Sequence, residues 1–289
     1  METAELYQIY KPLLFSIAYR MTGSVMDAED IIHESFLTFS RLGKEKKIEN
    51  EKAYLCRIVM NNSIDKLRST SSKREVYVGE WLPEPIVEEA NEPSHIYLMK
   101  ESISTAYLLL LQQLSEVERA VFLLREVFQY SYEEIGDIVE KSSTNCRQIY
   151  HRSKKSITNR PKASTLDFQS MKSNIEQFTL ALQKGNIDKM LELLRTDAEF
   201  IADGGGKVTT AIKPIYTSER IVALFSNILK KLPENYKLDF KDVNGSPGVV
   251  LTINGYVAYV LSFEFQANQI ARIYMVANPD KLGHLQIKA

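Results

Sequence analysis

The chain has 289 residues, of which 44% are hydrophobic, and its 36 Lys and Arg nearly balance its 37 Asp and Glu. This length predicts two or three domains with packed cores, and the composition excludes wholesale disorder, collagen-like repeats and low-complexity tracts. The longest apolar run, Ala106–Leu111, is too short to cross a bilayer, and the acidic N-terminus is unlike a secretory signal. Two cysteines, Cys56 and Cys146, give neither a disulfide framework nor a metal-ligand pattern. We therefore expect a cytoplasmic protein with no cofactor, no metal and no membrane contact.

Charge is segregated along the chain, although the net charge is only −1. Residues 141–162 contain seven basic residues and no acidic one, whereas residues 80–92 contain five glutamates and no basic residue. A local basic stripe is typical of phosphate contact. Charge alone leaves open the alternative of a solvated basic helix end.

Residues 1–70 are helical in pattern, with apolar residues that recur at helical spacing. A second helix begins after Ser24 or Asp27, and a third is predicted over residues 52–68. Residues 71–100 lack sustained periodicity and contain several serines and prolines, which predicts a linker. The linker includes the only tryptophan of the chain, and we expect its run Trp81-Leu82-Pro83-Glu84-Pro85 to dock into a groove.

Residues 101–162 are helical again. One helix begins near Ser115, a short helix over 132–140 follows a break at 129–131, and a last helix covers 143–157. A helix, a short turn and a basic second helix form the helix-turn-helix pattern.

Residues 163–289 combine helices with strands. Helices around 187–194 and 218–232 are predicted, and the strands are expected over 198–202, 236–243, 249–253, 256–265 and 269–277. Asn254-Gly255 indicates a two-residue hairpin turn. Helices combined with a curved antiparallel sheet make an α+β domain, so the whole chain is predicted to be multidomain.

The helix over 143–157 presents two different faces. Cys146, Ile149, Tyr150, Ser153 and Ile157 share one face, which should pack on the preceding helix. The opposite face carries Thr144, Arg147, Gln148, His151, Arg152 and Lys155. Arg and Gln near the N-terminus of such a helix can reach base edges in the major groove, and later basic residues suit phosphates. With the helix-turn-helix spacing, this pattern favours DNA binding over a solvated surface.

Three stretches resemble bacterial sigma factors of the extracytoplasmic-function (ECF) type. Residues 27–36 (DAEDIIHESF) resemble the acidic helix of the sigma-2 domain that binds the β′ clamp helices of RNA polymerase. Residues 53–68 (AYLCRIVMNNSIDKLR) resemble the segment that melts and reads the −10 element. Leu114-Ser115 through Arg119, residues 132–136 and Arg147-Gln148 resemble the sigma-4 domain that reads the −35 element. The resemblance implies a sigma factor that directs promoter-specific transcription initiation, with promoter DNA and core polymerase (β′ clamp helices and β flap) as partners.

The resemblance also implies roles for three sets of residues. Polymerase binding falls to Asp27, Glu29, Asp30, Glu34 and Phe36. Promoter opening needs bases pulled from the stack and held, and the −10 set is Tyr54, Arg57, Asn61, Asn62, Lys66 and Arg68. The −35 set is the six-residue outward face of the helix over 143–157. An ordinary helix surface, or helix capping for Asp27 and Glu29, stays open as the alternative.

Three further strings resemble the ECF subgroup with a fused C-terminal SnoaL-like domain, a cone of the nuclear-transport-factor-2-like fold. The strings are Trp81-Leu82-Pro83-Glu84-Pro85, Asp203-Gly204-Gly205-Gly206-Lys207 and Asn278-Pro279-Asp280-Lys281-Leu282. The resemblance implies regulation by the fused domain in place of a separate anti-sigma factor. We expect the three strings to form one junction between the fused domain and the sigma halves. The domains are then sigma-2 (1–70), linker (71–100), sigma-4 (101–162) and the SnoaL-like domain (163–289).

Two other functions stay open at this point. A SnoaL-type isomerase or cyclase would use a positioned acid or base, and its candidates are Asp203, Tyr216, Tyr259 and His284, although they form no clear dyad. A helix-turn-helix regulator would bind DNA without polymerase and sense a ligand in the cone. A small apolar ligand also fits the sigma-factor interpretation, because a cone has a natural mouth. ATP binding is excluded, since residues 203–207 lack the spacing and hydroxyl of a P-loop.

Overall fold

The computed structural model describes residues 3–42, 48, 50–87, 103–158 and 166–286, which divide into two compact units. The first unit holds the described residues up to 75, residue 103 and those from 107 to 158. The second holds residues 76–87, 104–106 and 166–286. In the described ranges, no helix has the length and apolar character that crossing a bilayer requires.

The first unit is helical. Its described helices are α1 (Thr3–Thr22), α2 (Val25–Leu42), α3 (Glu51–Glu75), α4 (Thr105–Leu111), α5 (Glu116–Glu126), α6 (Tyr132–Val139) and α7 (Ser143–Thr158). The first two residues of α4 cluster with the second unit. Helices α1, α2 and α3 pack together around fully buried side chains that include Ile17, Ala18, Leu55 and Val59.

Helix α3 continues to Glu75, beyond the end that the sequence pattern predicts. Residues 69–75 are polar and carry no apolar repeat, so periodicity does not detect them. Once a helix is nucleated, each added residue costs little. The hydroxyls of Ser69 and Thr70 also donate to the carbonyl of Lys66, both at 2.9 Å. The predicted linker therefore begins as helix.

The starts of α5 and α6 agree with the predictions because both have capping boxes. The Ser115 hydroxyl accepts from the Glu118 N–H, and the Glu118 carboxylate accepts from the Ser115 N–H at 3.1 Å. Ser131 and Glu134 repeat the arrangement, with the return bond at 2.7 Å. Each box satisfies backbone donors that the helix itself leaves unpaired.

The second unit is an α+β domain. Its helices are α8 (Phe168–Lys184), α9 (Ile187–Leu193), α10 (Ser218–Lys231) and α11 (Pro279–Leu282), followed by a 3-10 turn at Gly283–Leu285. Its strands are β1 (Leu194–Asp203), β2 (Ile215–Tyr216), β3 (Tyr236–Val243), β4 (Ser246–Ile253), β5 (Tyr256–Gln266) and β6 (Gln269–Val276). Rings of Phe178, Phe200 and Phe225 pack edge to face where α8 and α10 cover the sheet.

The sheet is mixed, and in this detail the predicted antiparallel sheet is wrong. The strand order is β2-β1-β6-β5-β4-β3, and β1 pairs with β6 in parallel, while the remaining pairs are antiparallel. Alternation of apolar residues identifies a strand but not the direction of its neighbour. Register shifts in the β4–β5 and β5–β6 ladders add bulges, which increase local bending and twist.

Residues 76–87, which we call the strap, belong to the second unit although the sequence places them in the linker. Leu82 is 1% exposed, and Pro83, Glu84, Pro85, Ile86 and Val87 are also buried. Val87 forms an antiparallel bridge with Val243 at the end of β3. Within the predicted tryptophan run, residues 82–85 are thus buried as expected, whereas Trp81 is half-buried. Residues 88–100 of the predicted linker lie outside the described residues.

Candidate polymerase, promoter and interdomain sites

The acidic surface of α2 consists mainly of exposed side chains. Glu29, Asp30 and Glu34 are exposed, whereas Asp27 is half-buried. Ser24 caps the helix, because its hydroxyl accepts from the Asp27 N–H at 3.1 Å. The three exposed carboxylates are therefore available to a basic partner, and capping does not require them.

Phe36 does not share that surface. It is 5% exposed, and its ring lies 4.8 Å from the ring of Tyr7, centroid to centroid. The phenylalanine fixes α2 against α1, so the expectation that its side chain contacts a partner is wrong for this conformation. A buried aromatic and an exposed one look alike in a single sequence.

Lys66 of α3 pairs with Asp27 at 2.8 Å, although the two were predicted to contact different partners. The hydrogen bond to Asp27 raises the pKa of Lys66, and the charges of Asp30 and Glu34 add to this effect while burial opposes it. This lysine stays charged, but it faces carboxylates in the described conformation. Its pair with Asp27 competes with any contact that it makes to a phosphate.

The other predicted −10 residues on α3 fall into two groups. Tyr54 and Asn62 are half-buried: Tyr54 packs on the ring of Phe39, and the Asn62 amide donates to the Ser35 hydroxyl at 3.1 Å. Asn61 is half-buried as well. Arg57 and Arg68 are exposed: a guanidinium nitrogen of Arg57 lies 3.7 Å from a carboxylate oxygen of Glu140, and one of Arg68 lies 3.5 Å from a carboxylate oxygen of Asp65. Helix α3 thus has its arginines on the surface of the unit, whereas the ring of Tyr54 is partly buried.

The helix α7 has the two faces that its spacing predicts. Cys146, Ile149, Tyr150 and Ser153 are buried against the unit, and Ile157 is half-buried. The six residues predicted to face DNA are all exposed: Thr144, Arg147, Gln148, His151, Arg152 and Lys155. Arg147 lies over the ring of Tyr132 at 5.2 Å, and Arg152 donates to Glu118 at 2.7 Å. A guanidinium on an aromatic face has fewer conformations to lose when it binds.

Arg119 of α5 is a structural residue that the sequence analysis did not select. It is 4% exposed, and its guanidinium donates to the carbonyls of Leu111 at 2.9 Å, Leu114 at 3.4 Å and Met21. It therefore joins the end of α4 and the end of α1 to α5. The sequence feature that could have identified Arg119 as a buried residue is its position directly before the apolar run Ala120–Leu124.

Asp203 lies at the centre of the second unit's polar cluster. It is fully buried, and its carboxylate accepts from the Tyr77 hydroxyl at 2.5 Å, the Leu82 N–H at 2.8 Å and Lys281 Nζ at 2.7 Å. The Gly205 N–H donates to it at 3.1 Å. Buried charges are tolerated when they are paired and hydrogen-bonded in this way. One carboxylate thus joins β1, the strap and α11.

Lys281 completes the cluster from α11. Its ammonium is 3.8 Å from the centroid of the Trp81 ring and 5.1 Å from that of Tyr77, and it also donates to the carbonyl of Leu82. Burial raises the pKa of Tyr77, and its hydrogen bond to Asp203 adds to this, so the phenol stays protonated and donates. Tyr77 lies outside the three strings that carry the family resemblance.

The glycines of residues 203–207 let other segments approach closely. Gly205 and Gly206 have φ of +59° and +71°, and a Cβ on Gly206 would lie 3.1 Å from Val78 of the strap. A Cβ on Gly205 would collide with the Asn278 amide. Larger residues would therefore displace the neighbouring segments.

The remaining members of the three strings lie in the same region. Lys207 pairs with Asp280 at 2.6 Å, and His284 contacts the Pro85 carbonyl at 2.9 Å. The Asn278 side chain caps α11, with Pro279 in its first turn and Leu282 buried. The structure therefore brings the three strings together inside the second unit. Contact with the sigma halves stays a prediction.

Two parts of the chain match known families. Residues 6–73 match Sigma-70 region 2, and residues 104–157 match Sigma-70, region 4. The ECF RNA polymerase sigma factor SigJ of Mycobacterium tuberculosis is 28% identical over 100% of this chain and 95% of its own length. The chain thus contains sigma-70 regions 2 and 4, and along its whole length it is similar to ECF sigma factors.

The resemblance of this sigma factor to its relatives covers its whole length. The probable ECF RNA polymerase sigma factor SigI of Mycobacterium tuberculosis is 25% identical over 97% of this chain and 94% of that protein. The crystal structure of Mycobacterium tuberculosis SigJ matches with a TM-score of 0.79 and 25% identity, and 98% of each chain is covered. The second unit is thus the fused SnoaL-like cone that the resemblance implies.

The four enzyme candidates of the sigma factor's cone do not form one site. A cavity of about 400 Å³ is lined by Tyr259, with Lys231, Thr209 and Thr210. Asp203 is enclosed in the strap cluster, Tyr216 is exposed on β2, and His284 contacts the strap. Among the described residues, the cavity lining contains no carboxylate or imidazole. No observation favours the isomerase or the polymerase-independent regulator.

Proposed function

We propose that the fused cone regulates this sigma factor through the strap, in place of a separate anti-sigma protein. The observation that carries the proposal is the buried Asp203 carboxylate, which accepts from Tyr77 and Leu82 of the strap and from Lys281 of the cone. The strap directly follows α3 of region 2. A change in strap docking therefore acts on the segment that leads from region 2 to region 4.

The docked strap corresponds to a less active state. Elements named −35 and −10 are about 25 base pairs apart, which is about 85 Å along B-form DNA. In the first unit, α3 contacts α5 and α6 directly, and Arg119 of region 4 donates to the Met21 carbonyl of region 2. Regions 2 and 4 must separate to reach both elements, so the segment between them must be extended.

Replacing Trp81 with alanine tests the regulation. Loss of the ring over Lys281 removes a cation–π contact worth about 1–2 kcal/mol at a desolvated site. As long as molecules with an undocked strap are the minority, this loss raises their fraction by roughly 5- to 30-fold. If docking limits activity, the transcript yield rises by the same factor. The measurement is in vitro transcription with core polymerase, which compares the full chain with Trp81→Ala on several promoters.

The matched control is Tyr256→Ala, which removes an exposed aromatic ring at the start of β5 in the same domain. It should leave transcript yield unchanged. An unchanged yield with Trp81→Ala, or an altered order of promoter preference, would contradict regulation through the strap.

The surfaces of the first unit support specific partners. The exposed carboxylates Glu29, Asp30 and Glu34 suit the basic β′ clamp helices, and the cations and Tyr54 of α3 suit the unstacked −10 strand. The helix-turn-helix formed by α6 and α7 suits the −35 major groove, with the β flap as the adjoining polymerase surface. A protein with these partners would work beside polymerase in the cytoplasm.

Replacing Arg147 with alanine should weaken −35 binding by about 1–3 kcal/mol and relax the preference at one base pair. The reason is that its exposed guanidinium, held over Tyr132, is available for a bidentate base contact. Lys155→Ala is the matched control, because the loss of a phosphate contact lowers affinity for all sequences alike and reduces the salt dependence by about one unit. Binding of holoenzyme to a set of single-base −35 variants measures both. An Arg147 variant with unchanged base preference would contradict direct readout.

The cone cavity supports one further partner, a small apolar ligand. Its volume of about 400 Å³ falls within the range of ligand sites. Thr210 in its lining also abuts the loop that follows Asp203, since a Cβ on Gly204 would lie 2.6 Å from the Thr210 hydroxyl. A ligand at this position would act on the loop that holds the strap, and titration monitored by Trp81 fluorescence tests it. Absence of any saturable change would contradict the ligand.

A further inference from the structure

Asn244 lies in the turn between β3 and β4 and differs from an ordinary turn residue. It has a φ of +54° and is followed by Gly245 at +73°, which suits a two-residue hairpin turn. Turn residues with these dihedrals are usually solvent-exposed, yet Asn244 is only 6% exposed. Its side chain is therefore enclosed by other segments.

The first of these segments is the end of the strap. The Ile86 N–H donates to the Asn244 Oδ1 at 2.8 Å, and the Asn244 N–H donates to the Ile86 carbonyl at 2.9 Å. The neighbouring Val87–Val243 bridge continues this pairing. The strap thus ends as a short extension of the sheet edge at β3.

The second segment is the start of α4, where region 4 begins. Asn244 Nδ2 donates to the Thr105 hydroxyl oxygen at 3.2 Å, and the Ser262 hydroxyl of β5 donates to the same oxygen at 2.8 Å. Thr105 and Ser262 are 5% and 7% exposed. Buried hydrogen bonds of this kind are costly to leave unmade.

We infer that Asn244 is a positioning residue that fastens both ends of the segment between regions 2 and 4 to one turn of the cone. Its carboxamide accepts from the strap with one atom and donates to α4 with the other, so a single group closes residues 87–104 into a loop. This inference rests on the proposed regulation by the cone. It adds a second anchor, separate from the Asp203 cluster.

The loop closure limits how far the two regions can separate. Residues 87–104 number eighteen. When extended, a segment of this length spans about 60–65 Å. While Asn244 holds both ends, only one carboxamide group separates Ile86 from Thr105. Only molecules in which Asn244 has released one end can bind polymerase in this extended form. The apparent Kd therefore equals the intrinsic Kd divided by the fraction of such molecules.

The test is Asn244→Gly in the full chain, because glycine keeps the left-handed turn and removes only the side-chain bonds. In the free protein, amide hydrogen exchange of residues 82–87 and of residues 103–108 should both increase by roughly tenfold. The apparent Kd for core polymerase should fall, by up to the same factor. A merely structural role would leave that affinity unchanged or weaken it.

Asn254→Gly is the matched control, since Asn254 has a φ of +53° in the Asn254-Gly255 turn of the same sheet and contacts Asn235, not the strap. It should alter neither exchange nor affinity. If Asn244→Gly speeds amide exchange in only one of the two segments, or in neither, Asn244 does not anchor both the strap and α4. If this variant binds core polymerase with unchanged or weaker affinity, the anchor does not limit polymerase binding. If Trp81→Ala raises transcription while Asn244→Gly fails, this inference alone is wrong; if Trp81→Ala fails, the proposed regulation is wrong.

Discussion

Replacing Asp203 with asparagine is expected to lower the free energy of unfolding of the second unit by about 3–5 kcal/mol. The carboxylate is fully buried and receives four donors, among them the Lys281 ammonium. An amide carries donors where acceptors are needed and leaves Lys281 without its counter-charge. Trp81, the single tryptophan, lies over Lys281 and reports release of the strap. The measurement is the urea dependence of its fluorescence.

Two further variants separate charge from packing at this cluster. Asp280→Asn breaks the exposed pair with Lys207 on the same segments and should cost about 0–1 kcal/mol. Asp203→Asn combined with Lys281→Met removes both buried charges, so the double variant should regain much of the loss. If Asp203→Asn and Asp280→Asn have the same urea midpoint in Trp81 fluorescence, the buried pair of Asp203 and Lys281 does not hold the strap.

Replacing Arg119 with methionine is expected to lower the local stability of α4 and α5 by about 3–5 kcal/mol. Methionine has a similar reach but no donors, so the carbonyls of Met21, Leu111 and Leu114 lose a charged partner in a buried site. Hydrogen exchange should increase in α1, α4 and α5 and stay unchanged in β4 and β5 of the cone. Because the chain has two units, a residue-level measurement is preferable to a single melting curve.

Arg119→Lys keeps the charge but lacks the planar fork that reaches several carbonyls, so its effect should be intermediate. Arg152→Ala breaks an exposed ion pair with Glu118 on the surface of the same unit, and it should cost less than about 1 kcal/mol. Equal exchange in Arg119→Met and Arg152→Ala would contradict the structural role of Arg119.

Features that depend on neighbouring residues were predictable. The buried and exposed faces of α7 follow from helical spacing, and the starts of α5 and α6 follow from Ser and Glu three residues apart. The hairpin turn at Asn254-Gly255 follows from its two residue types. Phe36 shows the limit of such reasoning, because the same residue type suits a partner surface and a core.

The amino-acid sequence by itself determined the helical regions, the outward face of α7, most strands and the likeness to ECF sigma factors, since each is encoded in short stretches. Only the tertiary structure decided that β1 runs parallel to β6, that Lys66 pairs with Asp27, and that Tyr77 joins Asp203. It also decided that Asn244 bonds both Ile86 and Thr105, residues more than a hundred positions away. The physical reason is that such contacts depend on which surfaces meet after the chain folds, and no local spacing records that.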